Sequence, residues 1–145
     1  MRYNPNISTS ALTKKTSALF VRLSNQWLKK RGITHAYTPF LVQLWDKNEQ
    51  TQAELCRKIG IEQPAAVRTL DRMERDNLIT RVRSTTDRRA IKIFLTPKAQ
   101  QLQNDVIACA LKINKIGTEG FTKNEQETLH LLLKKVIANL ENAMN

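Results

Sequence analysis

Gly60-Ile61-Glu62-Gln63-Pro64-Ala65-Ala66-Val67-Arg68-Thr69-Leu70-Asp71-Arg72-Met73-Glu74, then Leu78-Ile79-Thr80-Arg81 and Asp87-Arg88-Arg89, closing on Leu95-Thr96, is the stretch that decides the fold. A turn at Gly60-Ile61-Glu62 separates two short helices, the second opening at Gln63-Pro64 and running to Asp76 or Asn77. The hydrophobic period then changes from 3.6 to 2. In Ile91-Lys92-Ile93-Phe94-Leu95 the odd positions form one apolar face, and Leu78 to Arg83 offers a partner strand. The polar tip Ser84-Thr85-Thr86-Asp87-Arg88-Arg89 joins them into a long-tipped hairpin, or wing. A short helix suits the major groove of duplex DNA, and an arginine-tipped loop suits the backbone or minor groove beside it.

Outward from this centre the chain reads as helices. Ser8 or Ser10 caps a first helix, with Leu12, Leu19, Leu23 and Trp27 at helical spacing up to a stop at Gly32. Thr38-Pro39 opens a second, the threonine as cap and the proline at the first helical position, and Phe40, Leu41, Leu44 and Trp45 give it an apolar face. Thr51-Gln52-Ala53-Glu54 is a capping box for a third, running through Leu55 and Ile59 to Gly60. Thr96-Pro97 starts a fifth, with Ala99, Leu102, Val106, Cys109, Ile113 and Ile116 on one stripe. A second capping box, Thr122 to Glu125, opens a sixth, striped by Leu129, Leu132, Val136, Leu140 and Ala143. The expected fold is mainly α: one domain over residues 1–145, with a winged helix-turn-helix lobe at 38–96 and dimerisation helices at 8–32 and 97–145. A small winged module cannot bury all the terminal stripes. A two-fold homodimer that interleaves them is the economical solution, and an intrachain bundle is the alternative.

The charge distribution agrees. The 145 residues carry a formal net charge of +11, which suits a polyanionic partner. Residues 1–50 hold +6 and residues 51–100 hold +5, whereas the acidic and basic residues of 101–145 cancel. The last third therefore has no electrostatic reason to touch nucleic acid. No apolar run approaches membrane-spanning length, and Met1-Arg2-Tyr3-Asn4-Pro5 lacks the apolar stretch of a signal peptide, so a cytoplasmic protein is expected. Cys56 and Cys109 lie far apart and read as small buried thiols. His35 and His130 are near neither, which argues against a metal site. No phosphate loop, HExxH or GxSxG is present, so neither an enzyme nor a cofactor is expected.

In the helix after the turn, Val67, Leu70 and Met73 form an inward face, leaving Pro64, Ala65, Arg68, Thr69 and Arg72 outward. Ala65 and the Thr69 methyl suit thymine methyls, and Gln63 and Arg68 suit base edges or phosphates. On the wing, Arg88 and Arg89 form the tip, backed by Arg81, Arg83 and Lys92 on the strands. Arginine fits a narrow groove because it is more weakly hydrated than lysine. Asp87 has two readings: a carboxylate that orients Arg89, Arg68 or Arg72, or a turn-forming aspartate bonded to its own backbone.

The run from Thr51 to Thr96 resembles the DNA-binding core of the MarR family of bacterial transcription regulators. Asp87, Arg89, Ile93, Leu95 and Thr96 match that family's D-x-R…L-T signature, and Gly60 to Pro64 with Val67 to Asp71 resembles its SlyA branch. The resemblance implies a homodimer on a pseudo-palindromic operator in double-stranded DNA. Arg68 would anchor the recognition helix, Arg89 would enter the minor groove, and Asp87 would brace it. Cys56 stands where the family usually has alanine, which reads as a substitution rather than a sensor. Many such proteins are tuned by small aromatic carboxylates. The candidates for such a pocket are Trp27, His35, Tyr37, Phe40 and Trp45 as walls with Arg22 as the cation, and the competing reading makes them ordinary core and interface residues. The alternative function is a nucleoid or architectural protein of low sequence specificity.

Overall fold

The computed structural model describes residues 4–144; Met1, Arg2, Tyr3 and Asn145, and with them most of the segment weighed as a signal peptide, lie outside the described residues. The elements run α1 (Thr9–Leu28), α2 (Thr38–Asp46), β1 (Gln50–Thr51), α3 (Gln52–Ile59), α4 (Gln63–Arg75), β2 (Ile79–Arg83), β3 (Ile91–Leu95), α5 (Pro97–Gln101), α6 (Gln103–Gly117) and α7 (Lys123–Met144). Single 3-10 turns cover Pro5–Ile7, Lys29–Arg31 and His35–Tyr37. The mainly helical fold with a winged helix-turn-helix lobe is the one expected from the sequence. Among the described residues, no helix is long and apolar enough to cross a membrane.

Local chemistry accounts for most boundaries. Ser8, not Ser10, caps α1 by accepting from the Ala11 amide. Gly32 takes a left-handed φ of 69° where the chain turns away. The Thr51 capping box is complete: its hydroxyl accepts from the Glu54 amide, and Glu54 accepts from the Thr51 amide at 2.7 Å. The Thr122 box repeats this with Glu125. Both glutamates are held below the usual carboxylate range, first by these backbone hydrogen bonds.

Thr38 departs from expectation. The turn His35–Tyr37 already carries Tyr37 into helical geometry, so Tyr37 occupies the cap and Thr38 the first helical position. The Thr38 hydroxyl is left buried with no hydrogen-bond partner among the described residues. The fifth helix is also not continuous. The Leu102 amide bonds back to Ala99, an i−3 bond, and separates α5 from α6.

The core of the lobe sits under the helix-turn-helix. Leu41, Leu44, Leu55, Ala66, Leu70, Met73, Leu78 and Ile93 are wholly buried. Full burial of each large apolar side chain is worth about 1.5–3 kcal/mol against exposure. The sheet has order β1-β3-β2, all antiparallel, with Ile79 opposite Leu95 and Arg83 opposite Ile91. Its third strand is the two-residue β1, whose Gln50 pairs with Ile93.

The chain divides into two compact units, one ending at Leu111 and one beginning at Lys112. In the second, no described residue of α7 is buried. Leu129, Leu132, Leu133, Ile137 and Leu140 are exposed, Leu140 at 60%. Burial along the fifth-helix stripe holds at Ala99, Val106, Cys109 and Ile113 and lapses at Ile116. Leu12 and Leu19 on α1 are likewise open to solvent.

Candidate nucleic-acid interface

The orientation of α4 is set by the turn that precedes it. Gly60 closes α3 with φ 74°, a left-handed conformation that glycine adopts without strain, and its amide bonds back to Cys56. Glu62 then sits in extended geometry and Pro64 enters the first turn. The inward stripe is Ala66, Leu70 and Met73, not the Val67, Leu70 and Met73 expected from the sequence. Val67 is 39% exposed, and the small Ala66 occupies the fully buried position. The shift follows from geometry: spacings of four and three residues make a narrower stripe than two spacings of three.

The outward face holds most of the expected residues. Gln63, Pro64, Ala65, Arg68 and Arg72 are exposed. Thr69 is half-buried, its hydroxyl bonded to the Ala65 carbonyl at 3.3 Å. Gln63 accepts a hydrogen bond from Gln52 at 3.2 Å, which links the first residues of α3 and α4. Sequence reasoning does not single out Gln52; its position directly after the Thr51 cap is the only local signal.

The wing separates into a braced base and a free tip. Arg81 does not back the tip as expected. Its guanidinium turns onto α4, with Nη2 2.6 Å from Glu74 and 2.7 Å from Asp71 and Nε 3.0 Å from Glu74. The Glu74 hydrogen bonds are the main cause of its raised pKa. Lys92 is likewise engaged, 2.7 Å from Glu49. Arg83, Arg88 and Arg89 are exposed, and, among the described residues, neither they nor Arg68 and Arg72 form a salt bridge. Five arginines are thus left without an acidic partner on one helix and one hairpin.

Asp87 follows the turn-forming reading. Its carboxylate accepts from the backbone amide of Arg89 at 2.9 Å, while its carbonyl accepts from Ala90. Among the described residues it accepts from no guanidinium; the amide two residues on lies within reach of so short a side chain. Ser84, buried at the neck, accepts from the amides of Thr86 and Asp87.

The aromatic cluster is largely engaged within the lobe. Tyr37 and Phe40 are buried, and the Tyr37 hydroxyl donates to Asp76 at 2.7 Å. Trp45 donates to the Ala99 carbonyl, and His35 Nδ1 lies 3.0 Å from the buried Ser24 hydroxyl. Burial lowers the His35 pKa. Trp27 is half-buried and Arg22 exposed. Cys56 and Cys109 are both free and buried, and burial raises the pKa of the Cys56 thiol.

Residues 33–91 match the model of the MarR family. Among solved structures, a cysteine-to-serine mutant of MarR from E. coli in complex with operator DNA is 25% identical, with a TM-score of 0.84, covering 94% of this chain and 98% of that one. BpsR of Bordetella bronchiseptica, whose DNA binding is regulated by 6-hydroxynicotinic acid, is 20% identical with a TM-score of 0.84, covering 94% and 97%. A MarR transcriptional regulator from Methanosarcina mazei Go1 is 20% identical with a TM-score of 0.81, covering 91% and 96%. The family-model match is confined to residues 33–91, and these neighbours share the winged helix-turn-helix fold of this chain.

Proposed function

We infer that this chain is a DNA-binding transcription regulator of the MarR family, acting as a homodimer that recognises a specific pseudo-palindromic operator. The observation that carries the reading is the set of unpaired arginines. Arg68 and Arg72 lie on the outward face of α4, and Arg83, Arg88 and Arg89 lie on the wing, while the neighbouring Arg81 and Lys92 are bound internally. Arg68 and Gln63 read base edges, Ala65, Pro64 and the Thr69 methyl allow close approach, and Arg89 enters the minor groove. Arg72, Arg83 and Arg88 take phosphates. Asp87 contributes by fixing the turn that presents Arg89.

The homodimer is supported by the unburied apolar surface of α7 and by Leu12 and Leu19 of α1. A second copy is the natural cover for such stripes, and two-fold symmetry would set the recognition helices about 34–36 Å apart, in successive major grooves. The resemblance of Gly60 to Pro64 and Val67 to Asp71 to the SlyA branch supports membership of that branch, and the free buried thiols suit a reducing cytosol. Regulation by a small aromatic carboxylate is the natural extension, with Trp27, His35, Tyr37, Phe40 and Trp45 as candidate walls and Arg22 as the cation. The regulation of BpsR by 6-hydroxynicotinic acid supports this by analogy of fold.

Selection of bound duplexes from a random pool at near-physiological salt tests the reading. An enriched inverted repeat with half-sites one helical turn apart is expected. Enrichment for A·T content alone, or for nothing, would transfer the protein to the architectural class, in which charge rather than base readout drives binding.

A further inference from the structure

Arg81 stands at the base of the wing, opposite Ile93 in the ladder, and bridges two carboxylates of the recognition helix. Its side chain is 21% exposed, and its closest approaches are 2.7 Å to Asp71 and 2.6 Å to Glu74. On the neighbouring strand Lys92, opposite Val82, is tied to Glu49 in the loop before β1. The hairpin is therefore tied on one strand to α4 and on the other to the loop before β1. Only above these pins does the wing carry unpaired arginines.

The bridge also decides what Arg68 does. Asp71 lies three residues after Arg68 and four before Arg75, the spacings at which helical side chains pair. Arg81 occupies Asp71 instead, and Arg68 stays without a carboxylate partner among the described residues. Glu74 and Asp71 would otherwise present two negative charges beside a helix meant for a polyanion.

From this geometry we propose that Arg81 is a positioning residue that couples the recognition helix to the wing, so that base readout by Arg68 and groove insertion by Arg89 form one cooperative event. The bridge fixes the angle between the two elements and keeps Asp71 from capturing Arg68. The proposal rests on the DNA-binding reading above and adds a residue that itself touches no DNA.

A double-mutant cycle tests it, with affinities measured on the selected operator and on a random duplex. In the native background, the fold-losses caused by Arg68→Ala and Arg89→Ala should combine to less than their product, since removing either side chain already frees the other element. In an Arg81→Ala background the two fold-losses should multiply within about twofold, the behaviour of independent sites. The paired variant Asp71→Asn with Glu74→Gln breaks the same bridge from the helix side while raising the charge by two. It should abolish the coupling and bind random duplex as well as or better than the native protein, and Arg81→Lys should restore part of the coupling. Coupling that persists in both bridge-broken variants, or independent losses in the native protein, would overturn the proposal. A native protein with no preference for any duplex would instead overturn the regulator reading on which it rests.

Discussion

Tyr37 donates its phenolic hydrogen to Asp76 at 2.7 Å, and through that bond the turn before α2 holds the C-cap residue of α4. Asp76 is a junction. Arg75 pairs with its other carboxylate oxygen at 2.9 Å, and Lys98 of α5 donates to its carbonyl at 2.8 Å. Next to it Asn77 takes a φ of 57°, and its carbonyl accepts from the Thr96 hydroxyl. The end of the recognition helix is thus joined to both flanks of the lobe.

Tyr37→Phe removes one arm of this junction while Arg75 continues to neutralise Asp76. A loss of about 1.5 kcal/mol is expected, the usual value for a hydrogen bond to a charged group. The dependence on pH has two limbs. Arg75 first and Tyr37 second hold the Asp76 carboxyl below its ordinary range, so this stabilisation is present above about pH 4 and fades as pH falls through the folded value. Burial first and Asp76 second raise the Tyr37 hydroxyl, so its contribution is full below about pH 10 and fades as pH rises. Urea unfolding across this range should show the alkaline limb in the native protein and its absence in the variant.

Thr38→Val replaces a buried, unpartnered hydroxyl by a methyl group of the same shape. The variant should be more stable by about 1 kcal/mol, because the desolvation of the hydroxyl is no longer suffered. The urea midpoint should rise with an unchanged slope.

How much is legible in the sequence depends on distance along the chain. The capping boxes at Thr51 and Thr122 close over three residues, so residue identity alone specifies them. Asp87 is equally local, yet two local outcomes compete, and the nearer amide wins over a guanidinium. Thr38 carries the right signal for a cap, but the turn His35–Tyr37 moves the helix start back by one residue. The period of α4 admits Val67 on the inward face; which of two overlapping stripes is buried depends on what packs against the helix. Arg81 reads as a free wing cation, since nothing local indicates that carboxylates seven and ten residues earlier face it across the strand. The break at Leu102 has no glycine or proline to mark it, and a two-residue strand such as β1 leaves no periodicity at all.

Gly60→Ala tests the turn between α3 and α4. A Cβ would meet nothing within 4 Å, so crowding is not the obstacle. The left-handed φ is, and it should cost about 1–2 kcal/mol. Operator affinity should fall more than stability alone requires, because relaxation of the turn re-aims the helix. Thermal unfolding and a binding titration on the same samples separate the two.

The unpaired arginines should divide by groove and by salt. Arg68→Ala should cost about 1–3 kcal/mol on the operator and relax preference at one base position. Arg88→Ala should weaken all duplexes alike and reduce the slope of log affinity against log salt by about 0.9 for each phosphate that Arg88 neutralises. Filter binding at several salt concentrations reads both.

Leu132→Asp puts a charge into the exposed apolar stripe of α7. Sedimentation equilibrium should show a shift from dimer to monomer, with operator affinity falling in parallel. A native protein that sediments as a monomer would remove the dimer from the proposed function.

At the neck of the wing the Ser84 amide bonds to the Ala90 carbonyl at 2.9 Å and closes the hairpin beneath its tip. Residues 85–89 therefore lie outside the ladder, which is complete without them. A substitution at the tip therefore leaves the ladder register of the strands intact. On the proposed function, a change in groove fit at this tip does not first have to survive as a change in folding.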